Sequence, residues 1–244
     1  MTISASHFNN SIILRTNIGE KLAISHVHFD AHYLQQQKLI TGTAEGRGTV
    51  YFFKLNGTDL VLRHYKRGGL VAKLNDDSFL YTGIEKSRCQ KELSVLEVLR
   101  KANINVPEPI AGRIVKKGLV YTADIITKVI AHATELHQEL QERSVHIEVW
   151  RNIGAEIRKM HNAQICHNDI NVKNILLVNN NGESKVHLLD FDKCDVRKGS
   201  HWKAPNIERL KRSLNKQVGK CANYYYQPSD WEALKEGYLL KESS

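Results

Sequence analysis

Two short segments carry residue types suited to moving a phosphoryl group. His167-Asn168-Asp169-Ile170-Asn171-Val172-Lys173-Asn174 has the form H-x-D-x-x-x-x-N and runs directly into the apolar stretch Ile175–Val178. Sixteen residues beyond Asp169, Lys185-Val186-His187-Leu188-Leu189 leads to Asp190-Phe191-Asp192. Phosphoryl transfer to a hydroxyl needs a carboxylate that orients the nucleophile and takes its proton, and hard oxygen ligands for magnesium on the nucleotide. Asp169 suits the first role. Asn174 and Asp190 suit the second, because a strand, a turn and a strand between them return the chain to one edge. Asp192 either reaches the same metal or caps the next turn. A lone D-x-x-x-x-N spacing is more often an Asx-turn network; the two motifs in this order favour the chemistry. His167 is expected to brace its loop by hydrogen bonds.

A nucleotide site also needs backbone over the phosphates and a cation on the third strand, steadied by a helix carboxylate. The stretch Gly42–Val50 ends in a G-x-V step, and Gly46 and Gly48 are its candidate phosphate-covering residues. Fifteen residues past Gly48 stands Arg63, where a lysine is usual, with Lys66 as the competing cation and Glu92 as the carboxylate for either. The exchange is not neutral, since guanidinium is a planar fork and ammonium a point charge. Basic residues cluster at 63–67 and again at Arg209-Leu210-Lys211-Arg212. No groove-reading motif accompanies them, so acceptor phosphates explain them more simply than nucleic acid, which is not expected as a partner.

The elements that must position these residues are readable from periodicity. Val50–Phe53 and Leu60–Tyr65 predict antiparallel strands across an Asn56-Gly57 turn, opened by the glycine loop. Ser87-Arg88-Cys89-Gln90 has the form of a capping box, and the apolar stripe at Leu93, Leu96, Val98 and Leu99 predicts a helix with Glu92 facing inward. Ile110–Val115 and Leu119–Tyr121 predict strands across Lys117-Gly118, and the segment 121–127 is read as the hinge. Beyond it the pattern turns helical, with helices over 148–160 and 206–216. The expected class is α+β: a bilobal, protein-kinase-like fold, its β-rich N-lobe at 1–127 and helical C-lobe at 128–244, with nucleotide in the cleft between.

The bulk numbers set bounds on partners. The chain has 244 residues, 35 Lys and Arg against 26 Asp and Glu, and a net charge of +9. Such a surface attracts anions: nucleotide, nucleic acid, anionic lipid or a phosphorylated glycolipid. The N-terminus lacks the features of a secretory signal, and no apolar run approaches the roughly 18–20 residues that span a bilayer, so membrane contact is expected to be peripheral. Cys89, Cys166, Cys194 and Cys221 form no C-x-x-C pair, so neither a zinc site nor a disulfide framework is indicated.

The sequence resembles the 3-deoxy-D-manno-octulosonic acid (Kdo) kinases, within the lipopolysaccharide kinase group of the protein-kinase-like superfamily. The likeness runs through LRHYKRGGLVAKL at 62–74, the helix at 87–100, NVPEPIAGRIV at 105–115, YTADIIT at 121–127, HNDINVKNILL at 167–177, LLDFDK at 188–193 and NIERLKRSLNK at 206–216. The first forty or so residues add little. The resemblance implies Asp169 as catalytic aspartate, Asn174 and Asp190 at the metal, and Arg63 with Glu92 at the phosphates. It implies ATP and Mg2+, and transfer of the γ-phosphate to the 4-hydroxyl of Kdo on a lipid A precursor. The place implied is the cytoplasmic face of the inner membrane, with LRHYKRGG as a contact for acceptor and membrane. Asn168 departs from the family pattern, which has Ala there, at a position without a chemical role in this scheme.

Three other readings stand beside it. A heptose or aminoglycoside-type sugar kinase would use the same Asp169, Asn174 and Asp190. The arginine in place of the usual lysine also fits a pseudokinase-like binding protein, and the net charge alone fits a nucleic-acid binder.

Overall fold

A computed structural model describes residues 3–45, 48–67, 77–180 and 183–240. The chain divides into two compact units, one of residues 1–97 and 108–129 and the other of 98–107 and 130–244.

The first unit contains β1 (Ser4–Phe8), β2 (Ser11–Arg15), α1 (Asn17–Lys21), α2 (Ala31–Gln36), β3 (Ile40–Glu45), β4 (Thr49–Leu55), β5 (Thr58–His64), β6 (Phe79–Leu80), most of α3 (Arg88–Lys101), β7 (Pro109–Lys117) and β8 (Val120–Lys128). Its strands form one antiparallel sheet in the order β1-β2-β7-β8-β5-β4-β3, with β6 paired to β8. The Asn56-Gly57 turn is as expected, with φ of 49° and 77° at its two central residues, the backbone a two-residue hairpin requires. On one side of the sheet Ile13, Phe29, Leu34, Phe53, Leu60, Leu62 and Ile126 form a buried core with the N-terminal helices. Residues 121–127 do not form a hinge: they are the body of β8, because alternating Tyr121, Ala123 and Ile125 bury side chains while the backbone pairs with β5 and β7.

Helix α3 begins where expected, but without the reciprocal box. The Ser87 hydroxyl donates to the Ile84 carbonyl (2.6 Å), and the Gln90 amide reaches forward to Ser94 Oγ (3.3 Å). A preceding turn of 3-10 helix, Ile84–Lys86, supplies the carbonyl that draws Ser87 away.

The second unit contains β9 (Ala133–Glu135), α4 (Leu136–Glu142), α5 (Ile147–Asn162), β10 (Ile165–His167), β11 (Ile175–Asn180), β12 (Glu183–Leu188), β13 (Cys194–Val196), α6 (Lys203–Val218) and α7 (Pro228–Leu239). The α5 stripe of Val149, Trp150, Ile153, Ile157 and Met160 is buried as its helical spacing predicts. Its close neighbour is α7. Their approach depends on two glycines: a Cβ on Gly154 would lie 2.0 Å from the Leu234 carbonyl oxygen, and one on Gly237 2.0 Å from that of Arg151. Among the described residues no helix is long and apolar enough to cross a membrane.

Candidate active site

In the second unit, the loop between β10 and β11 is built by hydrogen bonds among its own residues. Asn171 Nδ2 and Asn174 Nδ2 both donate to the Asp169 carbonyl (2.8 and 3.0 Å), and the Lys173 N–H donates to Asn171 Oδ1 (2.9 Å). Asparagines suit such a turn because a short amide reaches backbone two to five residues away. Using the Asn174 amino group in this way leaves Oδ1 as its atom for a cation.

The second motif is carried to this loop by the β11–β12 pair. Ile175 lies opposite Leu188, and beyond that pair the Leu189 N–H donates to the Asn174 carbonyl (2.9 Å). Asp190 is therefore one residue from a direct backbone bond to Asn174. Its φ and ψ are 61° and 67°, a left-handed conformation that Asp tolerates better than most residues. Strained backbone of this kind is characteristic of residues whose side chains must be aimed.

His167 holds the two segments together. Its Nδ1 accepts the Asp169 N–H (3.2 Å) and its Nε2 lies 2.8 Å from the Leu189 carbonyl, to which it donates. Burial keeps its pKa below the ordinary value, which suits this neutral tautomer. Behind it runs a buried polar chain: Asn206 Nδ2 donates to the His167 carbonyl (2.9 Å), Asn206 Oδ1 meets His161 Nε2 (3.0 Å), and His161 Nδ1 meets the Tyr238 hydroxyl (2.9 Å). Burial pushes the His161 pKa down to about 4, so this link is neutral at pH 7.

The Asp169 carboxylate is 20% exposed and flanked by two cations. Arg209 Nη2 donates to Oδ1 (3.0 Å) and Lys193 Nζ stands 3.5 Å from Oδ2. Burial alone would raise the Asp169 pKa; the Arg209 hydrogen bond and the charges of Lys193 and Arg209 outweigh it and hold the carboxyl below the usual aspartate value. Neither cation was singled out from spacing. Arg209 belongs to the basic cluster that suits acceptor phosphates; Lys193, directly after Asp192, enters only as the last residue of the LLDFDK segment.

Asn168 is not an idle departure. Its Nδ2 donates to the Lys193 carbonyl and to Asp195 Oδ2 (both 2.7 Å), and its Oδ1 accepts from Arg197 (2.9 Å). The side chain thus ties the Asp169 loop to the backbone of Lys193.

In the first unit, Arg63 Nη2 donates to both carboxylate oxygens of Glu92 (2.6 and 2.8 Å), and the Tyr65 hydroxyl donates to Glu92 Oε2 (2.6 Å). Glu92 is 3% exposed. Arg63, one of the two candidate cations, therefore meets the helix carboxylate. It lies opposite Val50 in the β4–β5 register, next to the glycine loop. The Lys66 stem also borders the glycine loop: a Cβ on Gly48 would lie 3.0 Å from its Cε. Gly46 lies outside the described residues.

Among the described residues no cluster of three or more His, Cys, Asp and Glu side chains is placed to hold a metal. Asn174 and Asp190 are nevertheless a fitting pair for magnesium, which takes few protein oxygens and completes its shell with phosphate and water.

The chain matches the model of the lipopolysaccharide kinase (Kdo/WaaP) family over residues 31–238. It belongs to that family. The 3-deoxy-D-manno-octulosonic acid kinase of Photobacterium profundum is 42% identical over 215 residues, 88% of this chain and 89% of that protein. The enzyme of the same name from Vibrio cholerae serotype O1 is 47% identical over 188 residues, 77% and 79% of the two chains. Among solved structures, WaaP in complex with acyl carrier protein superposes with a TM-score of 0.60 at 12% identity, covering 93% of this chain and 88% of that one. That likeness establishes the protein-kinase-like fold expected of a Kdo/WaaP family member.

Proposed function

We propose that this chain transfers the γ-phosphate of ATP to the 4-hydroxyl of a Kdo residue on a lipid A precursor, a step in building the lipopolysaccharide core. The observation that carries it is the meeting of Asp169, Asn174 and the strand leading to Asp190 around shared backbone bonds, in a chain whose relatives are Kdo kinases. In the reaction the Kdo hydroxyl oxygen bonds to the γ-phosphorus, the bond from that phosphorus to the β,γ-bridging oxygen breaks, and ADP leaves with the electron pair. Asp169 accepts the hydroxyl proton and is ionised beforehand because its two cations keep it so.

Asn174 and Asp190 would hold Mg2+, which when bound supplies neutralisation of the β- and γ-phosphate charge. Arg63, fixed by Glu92 and Tyr65, would hold the α- and β-phosphates, and the backbone at Gly48 would lie over them. When the acceptor hydroxyl takes up its bond to Asp169 it displaces part of the present pairing, which frees Arg209 or Lys193 for the Kdo carboxylate or the transferring phosphoryl group. A net charge of +9 and an anionic, acylated acceptor together support action as a peripheral protein at the cytoplasmic face of the inner membrane.

The test is mass spectrometry of a Kdo-lipid A precursor after incubation with the protein, ATP and magnesium. One added phosphate on Kdo is expected. Turnover of a heptosylated core or an aminoglycoside, with none of the Kdo acceptor, would overturn the assignment.

A further inference from the structure

One end of the large sheet in the first unit leaves apolar side chains in water. At the turn between β7 and β8, Lys117 pairs with Val120, Gly118 takes a φ of 61°, and Leu119 stands 81% exposed. Beside it β6 pairs Leu80 with Val120, and the next residue, Tyr81, donates its N–H to the Leu119 carbonyl (2.9 Å). Leu80 is 66% exposed. Scattered exposed leucines need no explanation; these two are held on neighbouring chain segments by backbone pairing.

Aromatic rings and basic groups lie directly behind them. Phe79 and Tyr81 pack on Tyr121, with centroids 5.6 and 6.0 Å apart. Lys116 Nζ stands 4.4 Å from the Tyr81 centroid, and the guanidinium carbons of Arg88 and Arg67 stand 4.6 and 5.3 Å from that of Phe79. Lys86 and Lys117 are exposed on the flanks, so among the described residues the cations outnumber the nearby acids Asp77 and Glu85.

We infer that this sheet end docks on an anionic bilayer surface, with Leu80 and Leu119 entering the acyl boundary and Lys116, Lys117 and Arg67 meeting lipid phosphates. The inference rests on the proposed acceptor being lipid-anchored, and it assigns the surface that meets that lipid. Apolar tip, amphipathic rings and basic heads are the three components of interfacial binding, in which buried apolar area and attraction to anionic lipid add. A protein partner fits less well. A standard interface buries about 800 Å² per partner, and two leucines with their flanking rings supply only a small part of that.

Cosedimentation of the full chain with phosphatidylethanolamine–phosphatidylglycerol vesicles, against phosphatidylcholine vesicles, tests the inference. Preferential binding to the anionic vesicles is expected. The double variant Leu80→Asp/Leu119→Asp is expected to lower that binding by about tenfold or more, and Lys116→Glu/Lys117→Glu to lower it while removing most of its salt dependence. Both variants should phosphorylate detergent-dispersed acceptor at the parent rate. Vesicle binding unchanged in both overturns the inference, as does a dimer that Leu119→Asp dissociates without altering vesicle binding. Failure of the parent protein to phosphorylate dispersed acceptor is a separate outcome, which counts against the kinase reading.

Discussion

The two candidate-site carboxylates that hold an arginine, Glu92 and Asp169, are built in opposite ways. Glu92 is 3% exposed and has both oxygens engaged, by Arg63 at 2.6 and 2.8 Å and by the Tyr65 hydroxyl at 2.6 Å. Asp169 is 20% exposed, and its partners Arg209 and Lys193 are themselves 47% and 45% exposed. A carboxylate buried this deeply must keep its hydrogen bonds, so losing a partner from it is costly, although the Arg63 side chain is itself 29% exposed. An exposed pair gains little from its contact, so its members can change partners at small cost. The first arrangement suits a cation that must stay in place, the second a carboxylate that must exchange a cation for a substrate hydroxyl.

The contrast breaks most sharply at Asp169. Asp169→Asn keeps volume but removes the proton acceptor, and kcat is expected to fall by about 10²–10⁴-fold. Its urea unfolding midpoint should stay near that of the parent protein, since the ion pairs to Arg209 and Lys193 are made with half-exposed partners. A variant with near-normal kcat would show that Asp169 does not take the proton.

Glu92→Gln should invert that pattern. Losing the buried charge is expected to cost about 3 kcal/mol of stability, read from urea denaturation, and to raise the KM for ATP as Arg63 loses its anchor. Stability equal to that of Asp169→Asn would erase the proposed difference between the sites.

The smallest effect, and the finest test, concerns pH. Asp169 has a depressed pKa in the folded protein, so its ion pairing contributes stability above the ordinary aspartate pKa of about 4 and loses it as pH falls through the folded value. The ionised fraction, and with it the acid limb of kcat/KM, follows the same titration. Arg209→Gln removes the largest lowering influence while burial still raises the pKa, so the acid limb should move to higher pH, with a modest rise in acceptor KM. An acid limb that does not move in a pH–rate profile would detach Arg209 from the chemistry.

Legibility in the sequence followed the range of the interactions. The Asp169–Asn174 loop was readable because its bonds join residues two to five apart, within one motif. The Asn56-Gly57 turn and the α5 stripe were readable for the same reason, since local backbone geometry and helical period leave direct traces in residue order. The true course of residues 121–127 was not, because an apolar segment reads alike as connector or central strand until neighbours pair with it. Nor was the hydroxyl of Ser87, which a preceding carbonyl captures.

From the residues alone came Asp169 as the candidate proton acceptor, Asn174 and Asp190 as the candidate oxygen donors for a metal, the inward-facing Glu92 and the family resemblance. The folded chain decided that Arg63 meets Glu92, a contact across 29 residues that depends on the β5 register and on the packing of α3. It also decided that Lys193 and Arg209, 24 and 40 residues from Asp169, meet the same carboxylate. Contacts of that span depend on how sheets and helices pack, and packing leaves no fixed spacing in the order of amino acids.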